Sequence, residues 1–163
     1  PALKSARETG NQIKCISNLK QLGMASIAYS GDNNDSLPAS GGWWRCAEDN
    51  PFSMYYLNNR QILICSSLKT RTFPDAAYSS WYGVNYSSIW ILSSSNYGSK
   101  KISSVKNPSG MLLFCCGHRQ ITSTGYGETS GRLIYAHRNG VNLLFLDGNA
   151  RLQRRSVPDA FWY

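Results

Sequence analysis

The feature that most constrains this chain is a run from residue 2 to about residue 30. No proline interrupts it after Pro1, and glycine occurs only at Gly10 and Gly23. Its apolar residues recur at spacings of three and four, which is typical of an amphipathic α-helix. The predicted packing stripe consists of Ile13, Ile16, Leu19, Gly23 and Ile27. We predict one long helix over residues 1–30, whose second half packs on a domain and whose first half projects.

The segment after this helix contains Gly31 and the run Asp32-Asn33-Asn34-Asp35. Gly31 suits the residue that ends a helix, and Asp and Asn favour turns. The same run offers several hard oxygen atoms to a calcium ion, although it lacks the glycine and the final glutamate of an EF-hand loop. We predict a helix-terminating turn, with calcium binding as the weaker alternative.

The last third of the chain, residues 132–155, predicts a three-stranded antiparallel meander. Strands 132–137, 141–146 and 150–154 are separated by turn signals, of which Asn139-Gly140 is the strongest because both positions of the turn need positive φ. With two-residue turns, one apolar face gathers Ile134, Ala136, Leu143, Phe145 and Leu152. The other face is expected to be more exposed and carries Tyr135, His137, Asn142, Arg151 and Gln153. Only the N-terminal helix has a long enough apolar stripe to cover the first face, so the predicted class is α+β.

The middle of the chain, residues 31–131, is rich in Ser, Tyr and Asn and is predicted to be irregular. A short helix is expected over 51–59, because proline suits a first helical turn. Apolar runs predict short strands at 61–65, 82–86, 89–92 and 111–116, the last one buried on both faces. Asn107-Pro108-Ser109-Gly110 predicts a turn, and residues 117–131 a loop. We expect residues 1–163 to form one domain with its own core.

The charged residues are few and scattered, since they make up 16% of the chain and give a net charge of +8. No basic stripe is interleaved with aromatic residues, so we predict that nucleic acid is not a partner. The low charged fraction and the abundance of Ser, Asn and Tyr favour an extracytoplasmic protein.

The five cysteines form no CxxC pair and no Cys/His set with the usual zinc spacing, so we predict no metal site. In an oxidising compartment they would supply one or two disulfides, and Cys46–Cys65 is the first pairing to consider. Cys115 and Cys116 are neighbours on a predicted strand and should point to opposite faces. A thiol nucleophile assisted by His118 is disfavoured, because the apolar run before the cysteines buries their sulfurs and lowers their reactivity.

His137 and Asp147 suggest an acid–base pair, but the predicted hairpin places them at opposite ends of one strand. At about 3.3 Å per residue, they lie roughly 30 Å apart along that strand. Asp147 is expected to lie opposite Arg132 or to accept backbone N–H bonds in its own Asp-Gly turn. The chain also lacks a Walker loop, G-x-G-x-x-G, H-E-x-x-H and G-x-S-x-G, so we predict that it is not an enzyme.

Several aromatic residues fall in predicted loops, notably Trp43, Trp44 and Trp81. Burial in the core is the first explanation for them. An exposed cluster would instead contact a polysaccharide or a neighbouring subunit.

Two segments resemble bacterial prepilin-type proteins. One starts at Pro1 and runs through Cys15-Ile16-Ser17-Asn18-Leu19-Lys20 to Pro38, like the stretch that follows the membrane helix in that family. The other is His137, nine residues, and then Asp147-Gly148, which is similar to the family's "H-X9-DG" signature.

The resemblance implies a pilin-like fold and a structural role, as a pseudopilin or minor pilin of a type II secretion or type IV pilus-like filament. It further implies a cleaved leader and an apolar helix upstream, anchorage on the periplasmic side of the bacterial inner membrane or at the cell surface, and other pilin-like subunits as partners, with no cofactor. The alternative from another class is an extracytoplasmic polysaccharide-binding module that uses the loop tryptophans.

Overall fold

The computed structural model describes residues 2–38, 52, 55–57, 59–68, 82–85, 90–93, 96–116, 120–121, 137 and 140–154. They form an α+β fold in which one long N-terminal helix packs on an antiparallel sheet. This confirms the predicted class. Within these ranges, no helix is both long enough and apolar enough to span a membrane.

Helix α1 runs over Ala2–Asp32, two residues beyond the predicted end. Its exposed beginning, residues 2–7, agrees with the prediction that the first half projects. The buried residues of α1 are Cys15, Asn18, Leu19, Leu22, Gly23, Ala25, Ser26 and Ser30. Leu19 and Gly23 were predicted correctly and Ile16 is half-buried, but Ile13 is 63% exposed and Ile27 46% exposed. The buried stripe is therefore rotated away from the predicted one.

Polar residues on the buried stripe explain this rotation. The hydroxyls of Ser26 and Ser30 donate to the carbonyls of Leu22 and Ile27 at 2.6 and 2.8 Å. The Asn18 amide donates to the carbonyl of Ile64 at 3.2 Å. Because each of these donors has a partner, the small polar side chains can be buried at little cost. A search for apolar residues alone could not identify this face.

The end of α1 depends on Asn34 and Asp35, which have positive φ angles of 53° and 61°. Gly31, the predicted terminal glycine, lies inside the helix. The Asp35 N–H donates to the Ser30 carbonyl, and the Asp35 carboxylate accepts the N–H of Ser103 at 2.8 Å. Asn and Asp tolerate this left-handed conformation better than other side chains. The segment thus forms the predicted helix-terminating turn.

The strands within the described residues are β1 Tyr82–Asn85, β2 Trp90–Ser93, β3 Asn96–Ser99, β4 Leu112–Cys116, β5 Gln120–Ile121, β6 Gly140–Phe145 and β7 Ala150–Arg154. Five of them form the main sheet, in the order β5-β1-β4-β6-β7. The pairings β1–β4, β4–β6 and β6–β7 are antiparallel, whereas β5 pairs with β1 in parallel. β2 and β3 form a separate hairpin. Strands predicted at 82–86, 89–92, 111–116, 141–146 and 150–154 are therefore present with small changes of boundary.

The helix covers the face of β6 that carries Asn142 and Leu144. A Cβ atom placed on Gly23 would lie 2.9 Å from Leu144 Cδ2, and the Asn142 amide donates to the carbonyl of Gln12. Side chains alternate along a strand, so Leu143 and Phe145 point to the opposite face. The prediction that Leu143 faces α1 is wrong, whereas Phe145 lines a groove together with Gly23, Met24 and Ile27 of α1; both residues are buried.

The register of the β6–β7 pair also differs from the prediction. Leu152 lies opposite Asn142 and not beside Phe145, so Leu152 belongs to the face that α1 covers. The guanidinium of Arg151 lies 4.5 Å from the centre of the Phe145 ring, on the other face. The turn after β6 is longer than assumed, since the Phe145 N–H donates to the carbonyl of Asn149. This added length shifts the pairing.

The chain reversal before β6 falls between His137 and Gly140, which exchange backbone hydrogen bonds of 3.1 and 2.7 Å. The reversal is one residue earlier than the predicted Asn139-Gly140 turn. The remainder of the predicted strand 132–137, including Ile134 and Ala136, lies outside the described residues.

The segment predicted as a strand at 61–65 contains the 3-10 turn Arg60–Leu63 instead, and a second 3-10 turn, Ser66–Leu68, follows it. The Asn59 side chain accepts the N–H of Gln61 at 2.8 Å, which starts the first turn. The predicted turn at 107–110 is present, with the Asn107 side chain accepting the N–H of Gly110. For the predicted helix over 51–59, the described part contains one helical bond, from the Tyr56 N–H to the Phe52 carbonyl.

Candidate functional site

A buried group of three cysteines and one histidine lies between α1 and the sheet. It consists of Cys15, Cys65, Cys116 and His137, whose potential ligand atoms all lie within 4.8 Å of one another. Each residue is at most 1% exposed. We call this group the Cys/His cluster.

Each member of the Cys/His cluster comes from a different part of the fold. Cys15 belongs to the buried stripe of α1, and Cys65 lies between the two 3-10 turns. Cys116 ends β4 opposite Tyr82 of β1, and His137 is fixed by its backbone pairing with Gly140. The packing of α1 on the sheet therefore assembles the cluster.

Cys65 and Cys116 form the closest pair, with their Sγ atoms 3.0 Å apart. A disulfide bond measures about 2.05 Å, so these sulfurs are not bonded to each other. The His137 Nε2 atom lies 3.4 Å from Cys65 Sγ and 3.5 Å from Cys116 Sγ. The imidazole thus directs one ring nitrogen at two sulfurs.

The other ring nitrogen of His137 faces oxygen atoms. Nδ1 lies 3.2 Å from Ser67 Oγ and 3.5 Å from a carboxylate oxygen of Glu8. The Ser67 hydroxyl in turn donates to the same Glu8 oxygen at 3.4 Å. A proton on Nδ1 has acceptors here, which leaves the Nε2 lone pair directed at the sulfurs.

The three thiols of the cluster differ in acidity. Hydrogen bonds from Cys116 and then from Cys15 hold the pKa of the Cys65 thiol well below its usual range. Burial raises the pKa of Cys15 to about 12. Hydrogen bonds with Cys15 and Cys65, together with burial, also raise the pKa of Cys116. Of the three thiols, Cys65 is therefore the one whose deprotonation its neighbours favour.

Two polar side chains border the cluster on the sheet side. The Asn142 amide donates to the Gln12 carbonyl at 3.4 Å, and its position beside Cys15 lowers that thiol's pKa, although burial outweighs this effect. Burial, followed by the charge of Cys15, raises the pKa of Tyr82, which keeps its phenol neutral. Both residues are buried.

This arrangement permits three kinds of chemistry. Cys65, His137 and Glu8 are placed like a nucleophile, a base and an orienting carboxylate, but a nucleophile must be reached by its substrate. Cys65 and His137 are fully buried, and the cavities found beside α1 within the described residues are lined by other side chains. The remaining two kinds of chemistry are a disulfide between Cys65 and Cys116 and the binding of a metal ion.

The signature residues predicted from the sequence serve separate purposes in the structure. His137, which was expected on the more exposed face, is buried in the Cys/His cluster because the sheet and α1 enclose it. Asp147 lies on the surface, where its carboxylate accepts the N–H of Asn149 at 2.9 Å, as one of the two predictions had it. Gly148 has a φ of +82°, which explains glycine in this turn.

The cysteine predictions had mixed outcomes. Cys115 and Cys116 are buried, take part in no disulfide and lie on opposite faces of β4, as expected from their adjacency. Cys65 is also a free thiol and faces Cys116 and His137, so the structure does not contain the predicted Cys46–Cys65 disulfide. Cys46, His118 and the candidate contact residues Trp43, Trp44 and Trp81 lie outside the described residues.

Sequence reasoning missed the Cys/His cluster because it searched for ligands at short spacing. Cys65 and Cys116 are 51 residues apart, and Cys116 and His137 are 21 residues apart. The available signal was weaker: a cysteine within the amphipathic helix, another at the end of the most apolar strand, and a histidine beside the hairpin. These elements pack together, but only their mutual placement reveals the site.

Comparisons with known proteins identify no relative. A scan against protein-family models, a search of curated proteins and a search of solved structures each found no match to this chain.

Proposed function

We propose that this chain is the globular part of a pilin-like structural subunit, a pseudopilin or minor pilin of a type II secretion or type IV pilus-like filament. Its partners are other pilin-like subunits, and an upstream helix anchors it on the periplasmic side of the inner membrane. The observation that carries the proposal is the 31-residue helix α1, which begins exposed and then packs on an antiparallel sheet. This division suits a helix that continues an anchor at one end and holds a domain at the other.

The outer side of α1 supports assembly with neighbouring helices. Four exposed apolar residues on it are Leu3 at 84%, Ile13 at 63%, Met24 at 65% and Ile27 at 46% exposure. At about 100° per residue, they fall on the side of the helix opposite the buried stripe. We call them the outer apolar row. An apolar row on the solvent side of a helix is typical of a surface that contacts another protein.

A groove next to this row extends the apolar surface. It has a volume of about 760 Å³ and lies between α1 and the end of β6. Met24 and Ile27 of the outer apolar row line one wall, and Leu113 and Leu146 belong to the other. A neighbouring subunit's helix packed along α1 would bury the row and the groove together.

The resemblance of His137, Asp147 and Gly148 to the H-X9-DG signature also supports this assignment. His137 is buried and Asp147-Gly148 forms a surface turn, so the signature residues serve the fold. The polysaccharide-binding alternative depends on tryptophans outside the described residues, and no observation favours it.

The gene sequence upstream of residue 1 tests the proposal directly. We expect it to encode a short cleavable leader followed by an apolar run of about 20 residues. A polar upstream sequence would contradict the proposal.

Assembly provides a second test in the full-length protein. We expect Ile13→Glu to abolish incorporation into filaments, measured by shearing and immunoblotting, while the circular dichroism of the globular part stays unchanged. Lys106→Gln changes the net charge by the same amount on an exposed turn and should assemble normally. Equal assembly of the two variants would show that the outer apolar row is not an interface.

A further inference from the structure

We propose that Cys15, Cys65, Cys116 and His137 bind one zinc ion, which fastens α1 to the sheet. The inference concerns the fold of this chain and does not depend on the filament proposal. Three thiolates and one imidazole are a known ligand set of structural zinc sites.

The distances fit a single tetrahedral ion. With Zn–S bonds of about 2.3 Å and a Zn–N bond of about 2.0 Å, the ligand atoms of a tetrahedral site lie roughly 3.5–3.8 Å apart. Three of the ligand pairs measure 3.0, 3.4 and 3.5 Å, and no pair exceeds 4.8 Å. Small side-chain adjustments would bring all four atoms to the expected separations.

An iron–sulfur cluster suits this arrangement less well. In a [4Fe–4S] cluster each ligand binds a separate iron atom, and in a [2Fe–2S] cluster the ligands form two separated pairs, so the four ligand atoms are more widely spread than those of one ion. Here all four ligand atoms lie within 4.8 Å of one another.

The surroundings of His137 are an independent reason to expect a metal ion. A metal-bound histidine usually donates its other ring N–H to a carboxylate or a neighbouring oxygen, which fixes the tautomer and the ring orientation. Here Nδ1 faces Ser67 Oγ at 3.2 Å and Glu8 at 3.5 Å, while Nε2 faces the sulfurs. The oxygens beside Nδ1 and the sulfurs beside Nε2 therefore hold the imidazole in the orientation of a metal ligand.

The choice of zinc follows from the donor atoms and from the burial of the site. Thiolates disfavour magnesium and calcium, and a set of four protein ligands without an open position is typical of structural zinc. On binding, the cysteine thiols release their protons to solvent and no oxidant is required.

The ion would join four elements that are distant in sequence. Cys15 anchors the middle of α1, Cys116 the end of β4, and the other two ligands a 3-10 segment and the hairpin before β6. Because these ligands enclose long loops, one ion would restrict the unfolded chain strongly.

Metal analysis of the full chain, purified under reducing conditions without a chelator, is the first test. We expect about one zinc per chain by inductively coupled plasma mass spectrometry. Replacement by Co²⁺ should give thiolate-to-cobalt charge-transfer bands and the intense visible bands of a tetrahedral site. A chain without stoichiometric metal that also gives no such cobalt spectrum would overturn the proposal. A Cys65–Cys116 disulfide in the protein isolated without reductant would also overturn it.

The adjacent cysteines supply a matched pair of variants. We expect Cys116→Ser to lose the bound metal and the charge-transfer intensity. Cys115→Ser should keep both, because Cys115 is equally buried but points to the other face of β4. Equal loss of metal in the two variants would contradict the assignment.

Glu8→Gln keeps the test decisive if Cys116→Ser does not fold. Glu8 is partly exposed and is not a ligand, so the variant should fold. Removing the acceptor charge beside Nδ1 should weaken zinc binding about 10- to 100-fold in a competition titration with a chromophoric chelator. Exposed Lys4→Gln on the same helix should leave the affinity unchanged. If Glu8→Gln binds zinc with wild-type affinity, Glu8 does not orient His137 as a zinc ligand, and this result would contradict the proposed site.

Discussion

Helix α1 meets the sheet in two places that differ in chemistry. Near its C-terminal end, Gly23 rests against the side chain of Leu144 in an apolar contact. About two turns earlier, Cys15 meets Cys116 and His137, and Asn142 bonds to the carbonyl of Gln12. We call the contact at Gly23 the apolar end of α1 and the contact at Cys15 the cluster end. The apolar end needs only matching shapes, whereas the cluster end needs a specific partner for each buried polar atom.

This difference predicts different responses to change. Apolar contacts lose stability in proportion to the atoms removed and tolerate rearrangement. A buried polar cluster depends on every member, since removing one leaves the others without a partner. The following tests separate the two ends of α1.

Metal removal should have the largest effect, and it should act through the cluster end alone. If free zinc exceeds its dissociation constant about 1,000-fold, a strong chelator lowers the free energy of unfolding by about 4 kcal/mol. Denaturant unfolding under reducing conditions, followed by circular dichroism, measures this change. Added zinc should restore stability and added magnesium should not. An unchanged midpoint with chelator would show that the cluster end does not depend on a metal.

Leu144→Ala should have the next largest effect, through the apolar end. Leu144 is fully buried, so the truncation should lower the free energy of unfolding by about 3 kcal/mol. Leu3→Ala on the exposed start of α1 is the control and should change it by less than about 0.5 kcal/mol. The loss caused by chelation should be the same in Leu144→Ala as in the wild type. If the two losses do not add, the two ends are energetically coupled.

Gly23→Ala should change the free energy of unfolding by a smaller amount. The same substitution at a second glycine of this helix should change it in the opposite direction. The added Cβ would lie 2.9 Å from Leu144 Cδ2, so we expect a loss of about 1 kcal/mol from overpacking. Gly10 has no atom within 4 Å of such a Cβ, and Gly10→Ala should therefore gain about 0.5–1 kcal/mol. In a Leu144→Ala background, Gly23→Ala should become stabilising. A loss that persists there would mean that the close contact is not its cause.

These two ends also show what the sequence could reveal. The long helix, the buried strand β4 and the strands β6 and β7 follow from periodicity and turn residues, which are local properties. The apolar end was found only in part: Leu19 and Gly23 were identified, but Leu152 was placed beside Phe145 and not opposite Asn142, because the turn after β6 was taken as too short. A shift by an odd number of residues reverses the face of every side chain in a strand.

The cluster end could not be found in this way. The buried stripe of α1 includes Asn18, Ser26 and Ser30 along its length, which an apolar pattern omits, and whose burial depends on hydrogen-bond partners. Cys65 and His137 are 72 residues apart, so no spacing rule joins them. Local patterns determine elements, whereas a site built from four elements depends on how they pack.

The smallest expected effect concerns the end of α1, where Asp35 connects the helix to the 3-10 turn Ile102–Ser104. Hydrogen bonds from Ser103 hold the pKa of the Asp35 carboxyl below its usual range. A lowered folded-state pKa contributes stability that is complete above the unfolded-state pKa and is lost as the pH falls through the folded value. Asp35→Asn should therefore lower the melting temperature slightly at neutral pH, and the difference from wild type should shrink as the pH falls below about 4. Asp147→Asn, on the exposed turn after β6, is a control for the loss of one charge. A difference between Asp35→Asn and wild type that stays constant down to low pH would show that the charge of Asp35 does not hold this connection.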